Sequence, residues 1–198
     1  MSDIYKTLTI SDSKELRIIR DYDSIDPRKD DNLGTMVCFH GRYNLGDKHD
    51  FNSPDDFMEY VNNNHKDIAV VLPLYLYDHS GITMSTTPFS CSWDSGQVGW
   101  IYVTKETLRK ELGYKKIPKR SIEWAENILK GEIETYDQYL TGDVYGFNLV
   151  EKTKCSSCQH IKEEIVDSCW GFFGDNFETN GILDCLSKEE KEIVLSQI

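Results

Sequence analysis

No run of 18 apolar residues occurs anywhere in the sequence, so it offers no helix able to cross a membrane. Positive charge is scarce: 22 Lys and Arg stand against 34 Asp and Glu, a formal net charge of -12. That balance excludes the usual nucleic-acid or anionic-membrane binder, which needs a positive field. It allows a basic protein partner, or a protein that imitates a polyanion. Three catalytic signatures are also missing: the G-x-S-x-G nucleophile elbow, the Walker phosphate loop and the dinucleotide fingerprint. There is no internal repeat and no low-complexity linker. The opening Met1-Ser-Asp-Ile-Tyr-Lys6 lacks the basic-then-apolar pattern of a signal peptide. The six cysteines are therefore expected to be reduced, in the cytosol.

What the chain does have is the composition of a globular protein. Of its 198 residues 39% are hydrophobic and 12% aromatic, enough for one domain with a core. Leu16–Arg20 and Thr35–His40 read as strands, with a loop-like Asp21–Asn32 between them. Ser53 and Pro54 open a helix, with Asp55 and Asp56 at its positive end. Ile68–Tyr77 is the most apolar run and reads as a strand broken or edged at Pro73. A turn-rich segment, 78–97, precedes a strand at Val98–Val103, and Thr104 caps a short helix closed by Gly113. Ser121–Leu140 is the clearest helix. Ile122, Ala125, Leu129, Ile133, Tyr136 and Leu140 recur at intervals of three and four, which makes one buried stripe.

Val144–Val150 and Glu164–Phe173 read as an antiparallel strand pair. Ser187 with Glu190 forms a capping box for a last helix. Strict βαβ alternation is absent. The expected fold is α+β: a mixed or mainly antiparallel sheet packed by several helices in a single domain. Residues 1–34 are expected as a loosely attached N-terminal segment, and 153–163 as an inserted hairpin loop.

Four places have the residue types of a functional site. Cys155-Ser-Ser-Cys158 with His160 has zinc-ligand spacing, although a tetrahedral site needs a fourth ligand and no second such motif follows. Asp78-His79-Ser80 ends the apolar strand. Neighbours in sequence cannot converge as a triad, so His79 is a candidate base or ligand, and otherwise all three satisfy the turn. Cys91, in Phe89–Gly99, would become a nucleophile only with His79 beside it. Cys91, Cys38 and Cys169 are otherwise small core residues. Finally, Glu123, Glu126, Glu132, Glu134 and Asp137 decorate the long helix. They are candidates for a phosphate-imitating binding face, or simply a solvated one.

Leu74-Tyr-Leu-Tyr-Asp-His-Ser-Gly-Ile-Thr83, Trp93–Tyr102, Tyr136–Phe147 and Val166–Gly174 resemble a family of uncharacterised proteins associated with bacteriophages, plasmids and integrated elements. The resemblance spans Leu74 to Gly174, about half the chain. It implies a bacterial cytosol and an accessory role, and the segment from Cys155 to Glu163 looks like an insertion in that pattern. Accessory proteins of mobile elements often disarm restriction or CRISPR defences. The resemblance thus points to an inhibitor that binds a basic, nucleic-acid-binding host defence component, with no direct contact to nucleic acid or membrane and with no cofactor beyond the possible zinc. The rival expectation is a small acid–base or metal-assisted enzyme, with Asp94 and Asp143 as ligands and His79 as base. A third is a small zinc-containing interaction module.

Overall fold

A computed structural model describes residues 3–113 and 116–198. The chain forms two compact units. One comprises Met1–Ile25 with Gly142–Ile198, the other Asp26–Thr141. The α+β class with antiparallel pairing, expected from the sequence, is the class found, and the strands fall into two four-stranded sheets.

In the first unit the sheet is ordered β1 (Ile4–Ser11), β2 (Lys14–Arg20), β7 (Val144–Lys154), β8 (Ile161–Phe173), with every pair antiparallel. Residues 4–20 thus supply two strands, and β2 lies inside the sheet with Leu16 and Ile18 fully buried. Leu8, Leu16, Ile18, Tyr145, Phe147 and Leu149 pack beneath a 3-10 turn (Ile182–Cys185) and helix α4 (Lys188–Leu195), which contribute Ile182, Leu183 and Val194. The capping box is present: Glu190 N–H donates to the Ser187 hydroxyl, and Ser187 N–H donates to the Glu190 carboxylate. The edge strand β1 is closed by a side chain. Thr9 N–H donates to Gln197 Oε1 at 3.0 Å, and Gln197 Nε2 donates to the Thr9 carbonyl at 2.7 Å. An exposed ladder position is thereby paired by an amide of the chain itself.

Strand β8 is the opposite edge. Its register against β7 slips twice, once around the left-handed Gly171 (φ +84°). Such bulges twist an edge and discourage pairing with another chain. Cys169, expected in the core, is exposed on this strand. The segment 153–163 comprises the end of β7, a tight tip and the start of β8.

In the second unit the order is β3 (Thr35–Cys38), β6 (Ser95–Thr104), β4 (Ile68–Asp78), β5 (Ile82–Ser85). Strand β4 runs unbroken through Pro73. Strand β5 covers β4 only from Tyr75 to Asp78, so Pro73 lies beyond it, where a missing amide proton costs no ladder bond on that side. Alternation along β6 sends Ile101 and Val103 to one face and Trp100 and Tyr102 to the other. The first face takes helix α3 (Lys119–Thr141) through Ala125, Leu129, Ile133 and Tyr136, with Leu108 of α2 (Lys105–Leu112). The second takes α1 (Pro54–Asn63), whose Phe57 packs edge-on or tilted among Phe51, Tyr60, Trp100 and Tyr102. Among the described residues no helix is long and apolar enough to cross a membrane.

One buried cation organises the second unit. The Arg28 side chain is 3% exposed and forks between two carboxylates. It reaches Asp47 at 2.7 and 3.0 Å and Glu132 at 2.9 Å, and also donates to the Gly34 carbonyl at 2.7 Å. Both acids also accept from backbone amides. Glu132 accepts from Leu33 N–H at 2.7 Å, and Asp47 from Met36 N–H at 2.7 Å. The buried guanidinium is thus fully hydrogen-bonded, as burial of an ion requires, and the two acids share its one charge.

Candidate functional site

The end of the second sheet where β4 stops gathers three loops. Strand β4 ends at Asp78 and reverses through His79-Ser80-Gly81, with Ser80 left-handed (φ +58°) and His79 N–H bonded to the Gly81 carbonyl. The segment before β6 is tied alongside: Asp78 N–H donates to the Asp94 carbonyl at 2.8 Å. After β3, residues 39–43 complete the rim. Together they line a cleft of about 460 Å³, with His40, Arg42, Asp78, Trp93, Asp94 and Gln97 at its polar walls.

The geometry is polar and specific. His79 Nδ1 stands 3.3 Å from Asp94 Oδ2, with side chains 63% and 38% exposed. Cys91 Sγ lies 3.8 Å from the same oxygen. The carboxylate therefore stands next to both, and Cys91 has an acid rather than a base as its partner. Arg42 pairs with Asp78, whose other oxygen accepts from the Tyr43 hydroxyl at 3.3 Å. His40 Nδ1 accepts from the backbone amides of Arg42 (3.3 Å) and Tyr43 (3.2 Å). That leaves its proton on Nε2, and the ring stacks on Tyr43. Trp93 is 94% exposed.

Two members of the expected catalytic set meet within the second unit. His79 and Asp94 are neighbours. Asp143 belongs to the other compact unit, where it accepts from the Tyr145 hydroxyl at 2.6 Å. Burial, then that carboxylate, pushes the Tyr145 phenol well above its ordinary range.

The expected acidic face is also reduced. Glu132 serves Arg28, and Asp137 accepts from the Thr83 hydroxyl (2.7 Å) and Met84 N–H (2.6 Å). Both are internal fastenings of α3. Glu126 pairs with Lys130 at 2.7 Å. Glu123 and Glu134 are exposed, and their separation of about three turns puts them on one side of the helix.

At the β7–β8 tip Cys155, Cys158 and His160 share one turn, in which Cys155 N–H donates to the His160 carbonyl at 2.8 Å. Among the described residues no three His, Cys, Asp or Glu side chains stand close enough together to hold a metal ion, so the zinc set stops at two thiols. The Cys155 thiol is held below its ordinary value by the Cys158 amide, the Cys158 thiol and the Ser157 amide. The second pair, Cys185 beside Cys169, behaves oppositely. Burial, then Cys169 and the charges of Asp167 and Asp184, pushes Cys185 up.

Of the cleft residues, sequence reasoning singled out Asp78 and Asp94, with His79 beside Asp94, but missed His40, Arg42 and the exposed Trp93. His40 and Arg42 sit after a strand end with no motif around them. Nothing in a single sequence distinguishes an exposed Trp from a buried one. Comparison with known proteins returns no match to a family model, to a curated sequence or to a solved structure.

Proposed function

We propose that this chain is a binding protein that occupies a basic surface of a partner protein through the cleft end of its second sheet. The observation that carries this reading is Trp93, 94% exposed in the same cleft as the acidic Asp78 and Asp94. Trp is enriched among interface hot spots, because a large rigid ring supplies contact area at little entropic cost. A net charge of -12 supplies attraction toward a basic partner. The resemblance to mobile-element proteins supports the finer reading, an inhibitor of a restriction- or CRISPR-type host defence in the bacterial cytosol. Glu123 and Glu134 provide a smaller acidic contribution than a full phosphate-imitating face. The test is retention of a host nuclease or other defence component from lysate at low and high salt, followed by titration of the purified pair with wild type and Trp93→Ala. Binding that is lost with salt and weakened by Trp93→Ala supports the reading. Equal binding by both proteins overturns the assignment to this cleft.

A second reading, an acid–base enzyme, is favoured by the His79–Asp94 pair at 3.3 Å. It requires that single substitution of either residue abolish an activity while leaving the fold intact.

A further inference from the structure

The two faces of the first unit's sheet differ in what covers them. The helical segments of this unit pack on one face, where Ile182, Leu183 and Val194 meet Leu16, Ile18 and Phe147. Directly opposite residues of neighbouring strands share a face, so the register fixes what the other face carries. Ile4 lies opposite Ile19, and Ile19 opposite Gly146, on which the Trp170 ring rests. These make one apolar row across all four strands. Two rows further on, Glu15, Val150 and Ile165 stand in line, followed by Lys152 opposite Glu163. This face is left open: Ile4, Ile165 and Trp170 on it are each close to half exposed. Its charges are settled within it. Arg17 reaches Glu15 at 2.5 Å and Glu163 at 2.9 Å, while Lys152 pairs with Glu15 and lies 3.9 Å from Glu163. Two cations thus meet two carboxylates, a neutral network in a chain of net charge -12.

We propose that a second copy of the chain docks on this face, sheet against sheet, as a reversible two-fold pair. Charge complementarity selects that occupant. A basic partner gains no attraction from a neutral network, whereas a copy that is itself strongly acidic approaches best where charge is already matched. With the two-fold axis along the strands, the β1 margin of one copy lies over the β8 margin of the other. Ile4 and Trp170 stand in one row, so the Ile4 of each copy then meets the Trp170 of the other. The face measures roughly 15 by 20 Å between backbones, which puts the pair at the low end of specific interfaces. It is therefore concentration-dependent rather than obligate.

Sedimentation equilibrium of the full chain from about 10 to about 500 µM, the range in which an interface of this size titrates, reads the association. A monomer–dimer equilibrium is expected that tightens with added sodium chloride, because salt screens the repulsion between two acidic copies. Ile165→Lys and Ile4→Lys are each expected to weaken it by about ten-fold or more. Both changes make the chain less negative, so general charge repulsion acts in the opposite direction and does not account for the loss. Ile25→Lys, the same change at an exposed isoleucine beyond the strands of this sheet, is expected to leave the dimer intact. Circular dichroism and a melting curve of each variant check the fold. A chain that stays monomeric throughout overturns the proposal and leaves the face to a different protein. So does a dimer that salt loosens, one that Ile165→Lys and Ile4→Lys do not weaken, or one that Ile25→Lys weakens equally.

Discussion

The Trp170 indole lies directly on Gly146. A Cβ added at Gly146 would overlap the ring's fused edge. The glycine of β7 is a seat for the tryptophan of β8, one strand over. Gly146→Ala is therefore expected to displace the half-exposed ring and destabilise the first unit by about 1–3 kcal/mol. Denaturant unfolding followed by tryptophan fluorescence measures this. In a Trp170→Ala background the same glycine change should cost far less, since the clash has gone.

Arg28→Met removes the cation that Asp47 and Glu132 share. Two carboxylates are left largely buried, and the expected loss is about 3–5 kcal/mol. Glu132→Gln keeps part of the hydrogen bonding and should lose less. Equal stability of Arg28→Met and wild type in urea would show that the network is idle.

Acid should weaken the first unit through Glu190. Hydrogen bonds from Lys14 and Ser187 hold its carboxyl below the ordinary value of 4.5. A lowered carboxyl stabilises the fold above that ordinary value, and the stabilisation is lost as pH falls through the lower folded one. Thermal midpoints from pH 6 to pH 3 should therefore fall more steeply for wild type than for Glu190→Gln. Parallel curves for the two proteins would remove Glu190 from the account.

Trp93→Ala should leave stability within about 0.5 kcal/mol, because the ring packs on almost nothing. Partner affinity is expected to drop by about 2 kcal/mol or more, the scale of an interface hot spot. Calorimetric titration alongside a melting curve separates the two effects. A lowered melting temperature would mean that the ring has a structural seat after all.

Much of the fold was legible because it rests on local signals. Ser53, Thr104 and Ser187 each cap the helix they announce, and the α3 stripe from Ala125 to Tyr136 is buried as its spacing requires. Strand β1 and the short β5 went unread. The pattern of β1 mixes exposed and buried positions at an edge, and four residues in β5 are too few for alternation to show. The candidate site was half legible. His79 and Asp94 were marked by their turns, whereas the fates of Glu132 and Asp137 depend on partners far along the chain. No helix-face count distinguishes a carboxylate that bonds backbone amides from one that meets water.

The first unit is made from the two ends of the chain, with Asp26–Thr141 placed between them in sequence. During synthesis the β1–β2 hairpin emerges well before β7, the strand that β2 pairs with on its other side. Leu16 meets its partner Leu149 only after about 130 further residues have been made. The second unit, being continuous, can complete its sheet while the hairpin waits. Birth order and assembly order are thus reversed: the earlier-made hairpin is completed after the later-made unit. Until then the apolar side of that hairpin, Leu8, Leu16 and Ile18, is uncovered and open to aggregation.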